Sequence, residues 1–300
     1  MFSFNRISIL LLIALTLSTA FSCKKDDDDS ELTNTGVFSG MKYKGTYLVP
    51  KRTQDPVLQN NTFTVSNQYI YGINNDGLYQ MDFDGTSKVL FPGNWSTMAQ
   101  ITYASDGFLY LSQSSPSHPW NEIVKMDETG TVIDTYPLPE KRHGNFGIDA
   151  IKGNVYLTHS SNKYEIHCFN LVTGDSVTTI GTSGGGDADF PSPVSVVGSD
   201  QEGYVYVRMT QQDKGMIFNY DGSFNKSIAD IGTRFYSWRG GYYVTQNTMN
   251  VTKFNDGTGT NVGSHIHNLD ANGYGFQEEL SPDGKTAVIK LVEDFYIYQK

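Results

Sequence analysis

Cysteine and basic charge are scarce in this sequence of 300 residues, and from residue 23 onward no stretch shows a helical period. Two cysteines cannot form a disulfide scaffold. The 32 acidic residues outnumber the 22 basic ones, giving a net charge of -10 and no basic stripe to displace counterions from a nucleic acid. Nucleic acid is therefore excluded as a partner. The abundant residues are instead 30 Gly, 19 Tyr and 17 Phe, a composition typical of an all-β protein with many turns.

The first 22 residues are typical of a signal peptide. Arg6 precedes an almost wholly apolar run, Ile7 to Leu17, that is too short for a comfortable membrane span. The sequence that follows, Ala20-Phe21-Ser22-Cys23, resembles a bacterial lipobox, although a branched aliphatic residue usually stands where Ala20 does. The resemblance implies that Cys23 carries the lipid anchor to the membrane. The alternative is ordinary cleavage beside an incidental cysteine.

A charged run, Lys24 to Asp29, follows the cysteine. Such a run stays solvated, so residues 23–36 are predicted to form a disordered acidic tether. The run resembles the tether of Bacteroidetes surface lipoproteins. That resemblance implies an outer-membrane lipoprotein exposed on the cell surface, with an outer-membrane transporter as a candidate partner; a periplasm-facing lipoprotein is the alternative.

The remaining chain repeats one pattern of alternating strands joined by Gly- or Asp-containing turns. The centres of the second strands recur about every 37 to 50 residues, which is the spacing of propeller blades; these centres are Tyr71, Tyr110, Tyr156, Tyr206, Tyr243 and Ala287. The last unit is short, whereas Met41 to Val49 has no blade of its own. The sequence therefore predicts an all-β fold over residues 37–300, a six-bladed β-propeller with four-stranded blades whose last blade is closed by the N-terminal strand.

Two stretches carry a family resemblance. Gly184 to Pro193, followed by Val194 to Val207, resembles an NHL repeat, and Ser281-Pro282-Asp283-Gly284-Lys285 resembles the hairpin of TolB-type propeller blades. Both resemblances imply a six-bladed propeller. Neither implies one function, because propellers host enzymes, binding proteins and scaffolds alike.

The candidate site lies in the loops that a propeller presents on one face. Aromatic rings, Arg, Asn and His in these loops can stack on a sugar or a planar ligand and form hydrogen bonds to its edges. The predicted ligand-binding residues are Trp95, His118, Trp120, Arg142, His143, Asn145, His159, Arg208, Arg234, Tyr236 and Trp238. A glycan or small molecule is the predicted ligand.

No catalytic constellation emerges from the sequence. Cys168 lies in an alternating strand and is predicted to be a core residue rather than a thiolate. His265 and His267 alternate on an outer strand and are predicted to be solvated on one side of it. The favoured function is thus a non-catalytic binding protein without a cofactor. The alternatives are a purely structural scaffold and an NHL-like hydrolase or lyase with a channel metal near His118, His143 and His159.

Overall fold

Antiparallel strands account for nearly all of the regular structure in the computed structural model. It describes residues 33–48, 63–74, 77–92, 100–112, 122–139, 142–159, 164–199, 203–209, 214–229, 242–247, 251–256, 260–267, 269, 276–291 and 294–300. Its strands are β1 Lys42–Leu48, β2 Phe63–Val65, β3 Tyr69–Asn74, β4 Gly77–Asp82, β5 Ser87–Pro92, β6 Gln100–Tyr103, β7 Leu109–Ser112, β8 Glu122–Met126, β9 Val132–Pro137, β10 Arg142–Asp149, β11 Asn154–His159, β12 Ile166–Asn170, β13 Ser176–Ile180, β14 Val194–Ser199, β15 Tyr204–Met209, β16 Lys214–Asn219, β17 Phe224–Ala229, β18 Tyr242–Asn247, β19 Val251–Asp256, β20 Asn261–Ile266, β21 Phe276–Leu280, β22 Thr286–Leu291 and β23 Asp294–Gln299. One short 3-10 helix, Gly36–Phe38, precedes β1.

The strands form six sheets, most of them simple meanders of consecutive strands. Sheets I to IV have four strands each, in the orders β2-β3-β4-β5, β6-β7-β8-β9, β10-β11-β12-β13 and β14-β15-β16-β17. Sheet V contains β18-β19-β20 within the described residues, and sheet VI has the order β1-β23-β22-β21. The predicted four-stranded units are therefore confirmed in five sheets, whereas sheet V shows three strands. The first of these, β18, contains most of the predicted second strand Gly241 to Val244, and residues 230–241 before it lie outside the described residues.

The hairpins between third and fourth strands share one turn geometry. Gly130 donates its N–H to Asp127 O, and Thr129 and Thr131 donate theirs to the Asp127 carboxylate. Gly130 has a φ of 88°, a value that favours glycine. A register shift follows between Lys125 and Met126, and a shift next to the hairpin recurs in sheets III, IV and V. In sheet I the shift lies farther from the hairpin, between Leu78 and Tyr79. The predicted role of these glycines in tight hairpins is confirmed.

Neighbouring sheets are joined by side chains that accept hydrogen bonds from the backbone of an adjacent inner strand. The inner strands are the first strands of sheets I to IV and β21 of sheet VI. The bonds run from Val65 N to Glu279 Oε2 (3.1 Å), Tyr103 N to Thr64 Oγ1 (3.4 Å), Phe146 N to Gln100 Oε1 (2.8 Å) and Ile148 N to Ser199 Oγ (2.7 Å). Sheets VI, I, II, III and IV therefore follow one another side by side in this order.

The second-strand tyrosines tie a sheet to the outer turn of its neighbour. Tyr156 of sheet III is fully buried and its hydroxyl donates to Tyr220 O at 2.6 Å in sheet IV. Tyr71 of sheet I, also buried, donates to Glu128 O at 3.4 Å in sheet II. At these two positions the repeated tyrosine thus fills the apolar space between sheets and satisfies a carbonyl. The hydroxyl of Tyr110 instead donates to Asp106 Oδ2 of its own sheet.

The apolar core lies between the sheets. Between sheets III and IV the buried residues include Cys168, Phe190, Val194 and Phe218. Burial raises the pKa of the Cys168 thiol to about 11, so the thiol form prevails near neutral pH. The prediction that Cys168 is a core residue is confirmed.

The N-terminal segment bridges sheets V and VI. Thr35 N donates to Ser264 O and Ser264 N to Thr35 Oγ1, both at 3.0 Å. Gly36 has a φ of 58°, and a Cβ there would overlap the carbonyl of Val262, so only glycine allows this approach. The compact unit that contains the six sheets begins at Asn34. The predicted boundary between residues 22 and 23 lies outside the described residues.

The segment continues into β1, which completes sheet VI. β1 pairs antiparallel with β23, from Lys42 opposite Gln299 to Leu48 opposite Asp294. The two ends of the described chain therefore lie in one sheet. Among the described residues, no helix has the length and apolarity to cross a membrane.

Candidate functional site

Most of the predicted ligand-binding residues fall where the structure gives no description. Trp95, His118, Trp120, Arg234, Tyr236 and Trp238 lie outside the described residues, as does the predicted lipidation site Cys23. For Arg142, His143, Asn145 and His159 the structure describes the backbone of β10 and β11. Arg208 is described in full and is half-buried on β15.

The backbone brings these last five residues to one end of two adjacent sheets. Arg142 is paired with His159 across β10 and β11, and Arg208 is paired with Ser195 across β14 and β15. Strands β10 and β14 pack along each other, and Ile148 near the end of β10 is hydrogen-bonded to Ser199 at the end of β14. Their first residues therefore lie at the same end, called the loop end below.

A second polar cluster, which the sequence did not predict, is buried between sheets V and VI. His265 of β20 and Glu278 of β21 form a hydrogen bond between Nδ1 and Oε1. The His265 side chain is 0% exposed, and its ring stacks on Phe38 at a centroid distance of 5.2 Å and meets Tyr298 edge-on at 4.4 Å. Within the described residues, His265 Nε2 and Glu278 Oε2 have no hydrogen-bond partner. These four side chains and His267 are called the junction cluster.

His267 occupies the wall of this cluster. Its ring is buried, and Tyr298 donates its hydroxyl to His267 O at 3.0 Å. Burial lowers the pKa of His267 to about 4, with Glu278 opposing the shift, so the ring is neutral near pH 7. Burial also raises the pKa of Tyr298. The cluster is thus a low-dielectric environment in which ring contacts and hydrogen bonds join the N-terminal segment to β20, β21 and β23.

The prediction that His265 and His267 are solvated is wrong. Their alternation does place both on one side of the strand, as predicted. That side is covered by Phe38 and Met41 of the N-terminal segment and by Tyr298 of β23. A contact between residues over 220 positions apart has no local signal, so alternation alone could not show which side faces solvent.

A pocket of about 410 Å³ opens beside the junction cluster. Its lining includes three tyrosines, Tyr43, Tyr296 and Tyr298, together with His267, Asn34 and Met41. Ile266 and Leu269 complete the lining. The pocket is within the size range of small-molecule sites, about 300–1,000 Å³, and combines aromatic rings with a few polar groups as such sites do. We call it the rim pocket, because outer strands β1 and β20 contribute to it.

Metal ligation finds no support in the described side chains. No three His, Cys, Asp or Glu residues among them come together in a way that could hold an ion. The predicted alternative site, with His118, His143 and His159, concerns side chains outside the described set.

Comparison with solved structures supports the fold. A chain in the crystal structure of the mitotic checkpoint complex has a TM-score of 0.55 and 13% identity, covering 86% of this chain and 92% of that one. The Neurospora crassa Pan2 WD40 domain has a TM-score of 0.53 and 10% identity, covering 86% and 95%. BamB from Moraxella catarrhalis has a TM-score of 0.39 and 13% identity, covering 79% and 71%, and nothing is argued from it.

Neither the protein-family models nor the curated proteins give a match to this sequence. Likeness at these identities shows the fold and no more. WD40 domains are β-propellers. The described sheets and the comparison together show that the chain is an all-β propeller with four-stranded blades.

Proposed function

We propose that this protein is a non-catalytic, cell-surface binding lipoprotein that captures a glycan, a small molecule or a partner protein at the loop end. In this proposal the six sheets are the blades of one ring that resembles NHL and TolB-like propellers, and β1 closes it. The pairing of β1 with β23 supports the closure, because it gives the final blade an outer strand.

The observation that carries the binding proposal is the convergence at the loop end. Arg142, His143 and Asn145 lie in the first half of β10 and His159 ends β11 in sheet III, and Arg208 is the penultimate residue of β15 in sheet IV. Strand ends on a rigid sheet hold side chains more firmly than loops alone. Guanidinium groups at such positions suit a ligand with carboxylate, phosphate or hydroxyl edges.

The described ionisable pair, His265 and Glu278, gives no support to the hydrolase or lyase alternative. His265 and Glu278 are packed between Phe38 and Tyr298 and have no exposed surface to offer a substrate. Their arrangement suits a structural contact rather than proton transfer to a bound molecule, which needs reach of about 3 Å.

The test is a binding screen of the full chain against an oligosaccharide array and detergent-solubilised outer-membrane proteins. We expect Arg208→Ala, Trp120→Ala and Trp238→Ala each to weaken the strongest interaction about tenfold or more. Lys152→Ala removes an exposed charge from the turn at the opposite end of sheet III and should leave it unchanged. Equal binding by all four variants would overturn the loop end as the site. Stoichiometric metal that is lost in His118→Ala would instead favour the hydrolase or lyase.

The lipid anchor is a separate part of the proposal and rests on the Ala20 to Cys23 sequence. Metabolic labelling with an alkyne fatty acid should mark the wild-type chain and not Cys23→Ser. Protease added to intact cells should degrade a surface-exposed protein, whereas a periplasm-facing one would survive until lysis. An unlabelled wild-type chain would exclude the anchor.

A further inference from the structure

The rim pocket is built from side chains whose positions are already fixed by the protein. Asn34 donates its amide to Met41 O at 2.9 Å and accepts from Ile266 N at 2.7 Å. Tyr298 is held by its bond to His267 O and by the edge-on ring of His265. Walls fixed in this way are pre-organised, so a ligand loses little affinity to ordering them.

The described residues that line the pocket carry no formal charge near neutral pH. None of them is Asp, Glu, Lys or Arg, and His267 is neutral there because burial lowers its pKa to about 4. The nearest buried acid, Glu278, is paired with His265 behind the wall. A charged ligand would lose hydration without gaining a counter-charge, and this disfavours both anions and cations.

The aromatic wall forms a corner rather than a slot. Tyr43 and Tyr298 meet edge to face, with centroids 5.6 Å apart and planes at 63°. Two parallel rings would sandwich a flat aromatic ligand. Here the edge of one tyrosine ring packs against the face of the other, so no such slot exists between them. Tyr43 keeps 55% of its surface exposed, which leaves one open aromatic surface beside the pocket.

One polar group of the corner is unused. The Tyr296 hydroxyl makes no hydrogen bond to another described residue, in contrast to the hydroxyls of Tyr43 and Tyr298, which are bonded to Thr46 Oγ1 and His267 O. A ligand for this pocket therefore has an apolar face for Tyr43 and a hydrogen-bonding edge for Tyr296. A pyranose ring in its chair form has both, with C–H groups on its face and hydroxyls around its edge.

We propose that the rim pocket binds an uncharged carbohydrate ring, stacked on Tyr43 and hydrogen-bonded to Tyr296. This site lies on the outer strand β1, its neighbour β23 and the end of β20, and is independent of the loop end.

Saturation-transfer NMR on the full chain tests the proposal with named probes: maltose, cellobiose, lactose, mannobiose and N,N′-diacetylchitobiose. At least one should receive transfer on its ring C–H protons. Digalacturonate and phosphorylcholine, which carry charge, should receive none at this site. Tyr43→Ala should weaken the binding about tenfold through the lost stacking, and Tyr296→Phe severalfold through the lost hydroxyl.

Tyr136→Ala is the matched control, since Tyr136 also lies on an outer strand, β9 of sheet II, and should bind as the wild type does. Tyr296→Phe keeps the ring and the fold, so it decides the outcome even if Tyr43→Ala is unstable. The proposal is overturned if no neutral sugar binds, if a charged probe binds with the same tyrosine dependence, or if both variants bind normally. Sugar binding that is lost in Arg208→Ala but kept in Tyr43→Ala would assign the sugar to the loop end instead.

Discussion

The packing between sheets III and IV and the packing between sheets V and VI use different chemistry. Between III and IV, the buried side chains are Tyr156, Cys168, Phe190, Phe218 and their apolar neighbours. The Tyr156 hydroxyl there has its carbonyl partner. Between V and VI, the junction cluster buries two histidines and a glutamate, and two of its polar atoms lack partners within the described residues.

The difference follows from which segments meet. Sheets III and IV meet through their own strands and the connection between them, which carries Phe190, so apolar packing suffices. Sheet VI must also receive the N-terminal segment, which arrives from the far end of the sequence. Directional groups discriminate between registers better than apolar surface does, at some cost in stability. We therefore expect the junction cluster to select the register in which the N-terminal segment meets sheets V and VI. The III–IV core contributes mainly apolar packing.

The largest expected effect is on the apolar side of this comparison. Phe190→Ala should lower the free energy of unfolding by about 3–5 kcal/mol, because the ring is fully buried against Phe218 and its loss leaves a cavity. Urea denaturation measures the loss. Val177→Ala, at an exposed position of β13 in sheet III, should change the free energy of unfolding by less than about 0.5 kcal/mol. Equal effects of the two variants would contradict the assignment of this core.

The next effect is the pH dependence of folding stability that His267 of the junction cluster produces. The folded-state pKa of His267, about 4, lies below its ordinary value of 6.5, so the unfolded chain takes up the proton first as pH falls. The contribution of His267 is fully present above pH 6.5 and is lost between pH 6.5 and 4, by roughly 3 kcal/mol. Urea midpoints at pH 7 and pH 5 for wild type and His267→Gln measure it.

The variant should flatten this dependence, whereas His167→Gln, at a partly exposed histidine of sheet III, should keep it. An unchanged pH profile in His267→Gln would show that the buried ring does not control acid stability.

A third effect is the energetic coupling between His265 and Glu278. Glu278→Leu or His265→Leu alone should cost about 2 kcal/mol, because each leaves a buried polar group without its partner. The double variant should cost less than the sum of the singles, since both polar groups are then absent. A double-mutant cycle from urea denaturation measures the coupling. Additive losses would mean that the two side chains do not act as a pair.

The smallest effect compares one hydroxyl on each side. Tyr298→Phe removes the bond to His267 O, and Tyr156→Phe removes the bond to Tyr220 O. Each should cost about 1 kcal/mol, the usual net value of a hydrogen bond. Thermal and urea unfolding of both variants measure the two losses. A much larger loss at Tyr298 would show that the junction cluster depends on its hydroxyl more than the III–IV core depends on its own.

The repeated strands were predictable because their signal is local. Alternation marks each strand, and glycines such as Gly130 and Gly222 mark the hairpins by their positive φ. The second-strand tyrosines were found as a spacing, and Tyr71 and Tyr156 are buried as that alternation implies. Their hydroxyl bonds to the neighbouring sheet were not foreseen, since they depend on how two sheets pack.

The junction cluster and rim pocket could not be predicted for the same reason. Both need Phe38 or Tyr43 to meet residues more than 200 positions away, and nothing near His265 in sequence announces that cover. The loop-end residues were predicted from residue type and position alone. The described backbone places Arg142, His159 and Arg208 at one end, and their role in binding stays a prediction.

The pairing of β1 with β23 has a consequence for biogenesis. Sheet VI cannot form until β21 to β23 have been synthesised, because its outer strand β1 is separated from them by all the other strands. Contacts this distant in sequence also slow folding, since the whole chain must be looped before they form. The other sheets can therefore form before sheet VI does, and once β1 and β23 are paired neither strand can fray without breaking their hydrogen bonds.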